Sequence, residues 1–353
     1  DMACEVHAYL RSKGVELMRR TTVTGFSRQG DRLFVSLQDA RPLPADLVIL
    51  ATGVTPETTL AKEAGLELGL RGAIVVDEHM RTSNEDIYAV GDCALVTNRV
   101  TGQRQWSAMG STANITGRLA ATRIAGETGP SYPGVLGTGV AKLPGVSMGR
   151  TGLTEAAAKK AGFNVETIVV AADDKAHYYP GSEKMMMKLI CDRDTHKLLG
   201  MQALGNGAVD KMTDIAVTAI SMGAALEELQ SCDFAYAPPF STAIHPFAVA
   251  VNALLNKLSG KLESFTPAQY AAGEAEDYTM LDVSIQPALS GVPYIKLEQV
   301  NGPLADYPLD QKLLLVCSTG KRTYLLQNRL KHFGYTNTRV LEGGVLFNTQ
   351  LKK

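Results

Sequence analysis

The sequence predicts a multidomain chain of mixed α/β and α+β class, and three observations carry that prediction. Asp46-Leu47-Val48-Ile49-Leu50-Ala51-Thr52-Gly53 is a continuous apolar run ending in a small-residue turn. Such a run suits a central strand covered on both faces. Between residues 139 and 258, strand-like and helical segments are segregated rather than alternating, which marks an α+β unit. From residue 276 onward an alternating strand–helix–strand pattern restarts.

Taken in order, residues 5–13 read as an amphipathic helix that closes at Lys13-Gly14, a cation followed by a C′ glycine. Val15-Glu16-Leu17 begins a short strand, and Phe34-Val35-Ser36-Leu37 alternates as a half-buried strand should. Further strands are expected over Ala73–Asp77 and over Ile87–Asp92, the latter finishing in Gly-Asp. A long helix runs from about Ser111 to Ala125 and stops near Gly126. Residues 127–139 shift to Gly, Pro, Ser and Thr. Strands then follow at 139–149, 165–171, 184–191 and 197–205, with helices at 208–222 and 243–258. Residues 259–275 read as a polar linker. The last unit carries strands over Tyr278–Val283 and Lys312–Cys317, a helix over Thr323–Phe333, and a strand over Thr338–Leu341 before Glu342-Gly343-Gly344. No internal repeat is visible.

Length and composition narrow the function classes. A chain of 353 residues suits two or three domains. A net charge of −1 argues against bulk electrostatic attachment to nucleic acid. No apolar run approaches the roughly 18 residues of a membrane span, and no secretion signal stands at the start. Five cysteines, an odd number without any CxxC spacing, disfavour both a disulfide framework and a zinc site. A reducing, cytoplasmic setting is the expectation. Asp1-Met2-Ala3 is not an initiator sequence and a helix is already under way by Glu5, so a piece of a longer chain is expected.

Chemistry-bearing residues fall in three places. At Gly91-Asp92, the glycine lets a ligand approach the backbone and the carboxylate can accept hydrogen bonds from sugar-like hydroxyls. Asn114 lies near a helix start, where free N–H groups favour negative charge on a ligand. An ordinary surface turn would look the same. Together, however, Ala51-Thr52-Gly53-Val54-Thr55-Pro56, Thr82 and Ile87-Tyr88-Ala89-Val90-Gly91-Asp92 resemble the pyridine nucleotide–disulfide oxidoreductase family. The resemblance implies partial FAD/NAD(P)-binding Rossmann-like domains, with residues 1–70 from the NAD-binding domain and 71–130 from the FAD-binding domain. It implies that Gly53 closes the NAD domain, that Gly91 and Asp92 meet the FAD ribityl chain, and that Asn114 approaches the flavin ring. Cys93 would pack beside it. The family's two Gly-rich phosphate loops and its redox cysteine would precede Asp1, and Gly205-Asn206-Gly207 is no substitute. NADH and NADPH stay undistinguished.

The second place is residues 131–258, which resemble the family's dimerisation domain and imply a homodimer. His177-Tyr178-Tyr179-Pro180-Gly181 and Phe234-Ala235-Tyr236-Ala237-Pro238-Pro239-Phe240-Ser241 resemble the branch that reduces coenzyme A disulfide, coenzyme A persulfide or polysulfide. There, tyrosines of one subunit reach the redox cysteine of its partner. A phenol with a pKa of about 10 stays a proton donor at neutral pH and can protonate a leaving thiolate. Tyr236 takes one role, and Tyr178 and Tyr179 compete for the other. Aromatic–proline turns at a subunit contact would share the pattern. His245-Pro246 stands where glutathione reductase-like members carry a catalytic His-Pro, but Ala250 replaces the orienting glutamate. His245 is therefore expected to be structural.

The third place is Cys317-Ser318-Thr319-Gly320-Lys321-Arg322, between an apolar strand and a helix. Loop amides, the helix N-terminus and the two cations favour a thiolate. With Leu281-Asp282-Val283 before it and Leu341-Glu342-Gly343-Gly344 after it, the loop resembles a rhodanese-like α/β domain over 276–353. The resemblance implies that Cys317 carries sulfane sulfur as a persulfide. Ser284 departs from the arginine usual there, which leaves Asp282 without its expected partner. Cys191 and Cys232 read as structural, Cys4 has no assigned role, and Met185-Met186-Met187 reads as a strand packed on both faces rather than a metal site. Two other readings remain open: an NADH oxidase or peroxidase on the same scaffold, or a flavin-free dimeric sulfur carrier working through Cys317.

Overall fold

A computed structural model describes residues 2–348 and 351. Helix α1 (Met2–Ser12) ends at Gly14, whose φ of 80° closes it as expected. An antiparallel sheet follows, formed by β1 (Val23–Gln29), β2 (Arg32–Leu37) and β3 (Leu43–Ala45). Val15-Glu16-Leu17 forms no strand, because no neighbouring strand pairs with it. The run 46–53 is likewise not a strand. Among the described residues nothing pairs with it, and Leu47, Ile49 and Leu50 are 76%, 80% and 71% exposed. A strand meant for cover on both faces loses its reason to form where neither ladder partners nor covering helices are present.

After α2 (Thr59–Glu63), a small sheet joins β4 (Ile74–Val75) in parallel to β5 (Ala94–Thr97), and β5 antiparallel to β6 (Arg104–Trp106). The expected strand over Ile87–Asp92 is replaced by one bridge, Arg81 to Tyr88, and a 3-10 turn over Gly91–Cys93. The regular strand begins at Ala94, seven residues after the start that the apolar pattern suggested. Helix α3 (Gly110–Ile124) packs on that turn, matching its expected span within a residue.

The largest unit is a five-stranded antiparallel sheet of order β7-β8-β11-β10-β9, built from β7 (Gly139–Leu143), β8 (Val146–Gly152), β9 (Val165–Asp173), β10 (Lys184–Asp192) and β11 (Leu198–Gly205). Helix α4 (Glu155–Lys160) lies at its edge. One face is covered by α5 (Val209–Met222) and α7 (Pro246–Leu258), with α6 (Leu226–Gln230) beside α7. Met185 and Met187 sit in that core, while Met186 faces the opposite side with Met2, Val169, Leu204 and Phe347. Both faces are thus packed. The glycine ending α5, Gly223, takes the left-handed conformation that a β-carbon would strain.

The last unit is a four-stranded parallel sheet of order β12-β15-β14-β13. Its elements are β12 (Ser264–Phe265), α8 (Pro267–Ala271), β13 (Thr279–Asp282), β14 (Leu313–Val316), α9 (Lys321–His332), β15 (Thr338–Leu341) and α10 (Gly344–Phe347). Residues 259–275 are therefore not a free linker. Ser264 and Phe265 pair with Val340 and Leu341, and Thr266 caps α8. Polar composition hid a two-residue strand whose partner lies more than seventy positions away.

This unit is clamped to the five-stranded sheet by Glu342, which is 3% exposed. Its carboxylate accepts from Val169 N at 2.8 Å, Ser264 Oγ at 2.7 Å and Lys257 Nζ at 2.7 Å. Burial disfavours the Lys257 ammonium, but Glu342 and Glu166 outweigh it and hold its pKa above the ordinary value. Removing one member of a buried pair is strongly destabilising. Glu342→Ala is expected to lower stability by about 3 kcal/mol, the lower end for such pairs, because Glu166 remains 3.2 Å from Lys257. Equilibrium urea denaturation measures it, and an unchanged midpoint would show that the clamp contributes nothing.

Candidate functional site

The Cys317 loop is built by the end of β14 and the start of α9. Cys317 is 2% exposed, and its Sγ accepts from Gly320 N at 3.1 Å. Gly320 has φ 96°, so the loop turns into α9 through a conformation that glycine permits. From the other side, Val345 N and Leu346 N donate to the carbonyls of Cys317 and Ser318, each at 3.0 Å. Gly344 has no room for a side chain, since a β-carbon there would stand 2.3 Å from the Cys317 carbonyl oxygen. The Glu342–Gly344 segment thus joins the loop floor to the clamp described above.

Lys321 and Arg322 occupy the first turn of α9, where the helix dipole disfavours cations. Arg322 donates from Nε to Val283 O at 2.8 Å, and its other nitrogens hold both carboxylate oxygens of Glu298, at 2.8 and 3.0 Å. The Glu298 carboxyl is held down to about 2, chiefly by that hydrogen bond. Sequence reasoning missed Glu298, because a carboxylate 24 positions upstream carries no local signal. Asp282 is fully satisfied, accepting from the backbone of Ser284, Ala288 and Leu289 at 2.9, 2.5 and 3.1 Å. As expected, no arginine partners Asp282, and backbone amides of its own loop take that place. The Ser284 hydroxyl is buried without a partner.

A cavity of about 300 Å³ separates this loop from β9 and α7, lined among others by Thr319, Gly320, Lys321, Ile244 and Asn252. It is mainly apolar, with one cation and backbone of the α9 N-terminus on one side.

Tyr178, Tyr179 and Tyr236 are all exposed. Their two turns adjoin, since Ala176 N donates to Pro238 O at 3.4 Å and Tyr179 N closes its own turn on Ala176 O. They stand on the five-stranded unit, whereas Cys317 stands on the parallel-sheet unit. Nearby, His245 is buried and caps α7, its Nδ1 accepting from Phe247 N at 3.2 Å, and its ring stacks on Phe234. Burial, with Lys211, lowers its pKa to about 4.

At the nucleotide-type elements, Gly91 has φ 70° and a β-carbon there would touch Ala113 at 3.4 Å, so α3 approaches the turn closely. Asp92 is exposed, its carbonyl held by Trp106 Nε1 at 2.7 Å. Asn114 is exposed on α3, whose N-terminus has no side-chain cap. An exposed carboxylate and uncapped N–H groups around a glycine turn fit the ribityl and ring edge of FAD. Gly53 lies in the unpaired stretch with φ 94° and nothing within 4 Å of a β-carbon. Cys93 is half-buried and its thiol donates to Val90 O.

Of the other cysteines, Cys191 is buried beside Glu166 and Asp192, and burial pushes its thiol up to about 12. Cys232 is exposed, so its expected structural role is corrected: its thiol faces solvent and donates to Glu228 O. Cys4 is exposed. No cluster of His, Cys, Asp or Glu suited to a metal, and no helix long and apolar enough to cross a membrane, occurs among the described residues.

A glycine–aspartate turn under a helix start, followed by an antiparallel sheet unit, fits part of a nucleotide-binding scaffold. Comparison with known proteins makes this specific. A model described as pyridine nucleotide-disulphide oxidoreductase matches residues 1–117, and that family's dimerisation domain matches residues 143–248. The chain belongs to this family, an FAD- and NAD(P)H-dependent enzyme class. It is 39% identical over 224 residues to an NAD(P)H sulfur oxidoreductase (CoA-dependent) of Pyrococcus furiosus, covering 64% of this chain and 50% of that one. It is 36% identical over 261 residues to an NADH oxidase of Methanocaldococcus jannaschii, covering 74% and 57%. Among solved structures, an NAD-dependent persulfide reductase from A. fulgidus superposes with a TM-score of 0.90 at 36% identity, covering 98% of this chain and 63% of that one. The chain thus spans about half the length of the curated relatives it matches.

The His245 geometry has a pH signature. With a folded pKa near 4 against 6.5 unfolded, the unfolded state alone takes up a proton between those values. Stability therefore falls as pH drops from about 6.5 to about 4. His245→Asn, which retains a capping acceptor, is expected to flatten that slope in denaturation midpoints across this range. An unchanged slope would show that His245 does not titrate this way.

Proposed function

We propose that the protein is an FAD-dependent NAD(P)H oxidoreductase that reduces coenzyme A disulfide, coenzyme A persulfide or polysulfide, with a fused rhodanese-like sulfurtransferase unit. The observation that carries the sulfur chemistry is the α9 N-terminus: Lys321 sits at the positive helix end with no ion pair among the described residues, Arg322 being held by Glu298, and the adjacent buried cysteine already accepts an N–H. A cation there opposes the helix dipole by about 0.3–1 kcal/mol, and an anion in the loop offsets that cost. Local rules broken in this way mark functional sites. A thiolate or persulfide of Cys317 is that anion.

FAD, held by Gly91, Asp92 and Asn114, would supply two-electron transfer from NAD(P)H to a redox thiol. Cys317 does the chemistry of its own unit. Its thiolate attacks the outer sulfur of a donor R–S–SH, a new sulfur–sulfur bond forms, and the donor's bond breaks. R–SH leaves with the donor's proton, and Cys317 is left as the persulfide anion. The loop amides and Lys321 hold the charge in both states, and Ser318 and Thr319 complete the cradle. Arg322, turned to Glu298, fixes the loop rather than the sulfur. Tyr236, with Tyr178 or Tyr179, donates a proton to a leaving thiolate at the reductive centre of a partner subunit in a homodimer.

A second reading, an NADH oxidase on the same scaffold, is favoured by the 36% identity to the Methanocaldococcus jannaschii protein. NADH turnover on coenzyme A persulfide against oxygen separates the two, and higher efficiency on oxygen would sink the reductase reading. A flavin-free carrier would instead transfer sulfur with no NAD(P)H dependence.

Cys317→Ser is expected to reduce sulfur transfer to cyanide by ~10³-fold or more, as loss of a nucleophile does. Retained transfer would remove the sulfurtransferase assignment. Tyr236→Phe is expected to lower kcat/KM for persulfide reduction by roughly 100-fold, the low end for a general acid. Cyanide transfer by the same variant should stay unchanged, and equal loss of both activities would count against separate roles.

A further inference from the structure

A cleft of about 430 Å³ lies between β6, the turn preceding β4, and α4, away from both the Cys317 loop and the tyrosine turns. Arg71, Arg104 and Lys160 line it, and no aspartate or glutamate does. In a chain with 36 acidic and 35 basic residues, a cleft with three cations and no carboxylate is an uneven local charge. The three cations form no ion pair among the described residues, while the adjacent Lys159 is held by Glu155 at 2.6 Å.

Two of the cations are oriented. Arg104 donates to Val76 O at 2.6 Å, which fixes one edge of its guanidinium and leaves its remaining donors unassigned. Arg71 stands 4.9 Å over the ring of Trp106, the one tryptophan of the chain. The Arg71 backbone is at φ 59°, ψ 17°, an uncommon conformation for a residue with a side chain. Strain of this kind persists where surrounding structure enforces it and clusters at ligand sites. Leu153 and Ala157 supply an apolar wall beside these charges.

We propose that this cleft binds a small phosphate-bearing anion, with Arg71, Arg104 and Lys160 as its charge partners. Guanidinium forks match phosphate oxygens in pairs, and Lys160 adds a point charge. The volume accommodates a diphosphate with an attached organic body against Leu153 and Ala157. Nothing in this site depends on Cys317 or on the tyrosines, so its failure would leave the proposed sulfur chemistry untouched.

The test is titration of the flavin-loaded, full-length protein with inorganic pyrophosphate at constant ionic strength. Heat and tryptophan emission are followed together, and Trp106→Phe identifies the emission change that arises in the cleft. The expected result is one saturable site per chain, weakened at least tenfold in Arg104→Gln and, separately, in the exposed Lys160→Gln. A titration that does not saturate overturns the proposal, and so does equal binding in both variants. Sulfate binding as tightly as pyrophosphate overturns the assignment to phosphate.

Discussion

The carboxylate of Glu342 is the interaction on which the arrangement of the two C-terminal units depends. It is buried, so it must be fully paired, and it draws its partners from β9, from α7 and from β12. Two residues later, Gly344 lies against the Cys317 carbonyl, and the amides that follow hold Cys317 and Ser318. A single acidic residue therefore links the floor of the thiol loop to the sheet that carries the dimerisation match. A shift of one unit against the other would break charge pairing in a dry interface, which is costly where polar groups lack water.

The loop itself shows how local cost is offset by purpose. Lys321 and Arg322 sit at the wrong end of α9 for helix stability. Arg322 is relieved by Glu298 and by the Val283 carbonyl, while the Cys317 sulfur accepts from the Gly320 amide. The Asp282 carboxylate gathers three amides of its own loop and shapes the rim without an arginine. His245 follows the opposite logic: it is buried, stacked and used as a helix cap, and its depressed pKa follows from that burial.

Where the fold was legible, the determinants were local. Spacing placed β9, β10 and β11 of the five-stranded sheet, but the single segment expected over 139–149 is a hairpin of two strands, β7 and β8, because Pro144-Gly145 turns the chain within it. Helices α3, α5 and α9 likewise announced themselves by periodicity and by small or glycine residues at their ends. Legibility failed where an element depends on a distant partner. The apolar run 46–53 has strand composition but no ladder to join, and β12 has linker composition but completes a sheet. The Gly91-Asp92 turn was correctly placed, although its backbone is a 3-10 turn rather than a strand end.

By itself the sequence determined the class of each segment, the glycine–aspartate turn, the tyrosine turns and the one cysteine set before a basic helix start. Residue types at short spacings encode those features, because they depend on neighbours a few positions away. The tertiary structure alone decided that Glu298 takes up Arg322, that Glu342 ties the cysteine loop to β9 and α7, and that Arg71, Arg104 and Lys160 line one cleft with Trp106. These are contacts across 24 to more than 170 positions, and no local periodicity encodes them. They follow from which faces must be buried together once the sheets have formed.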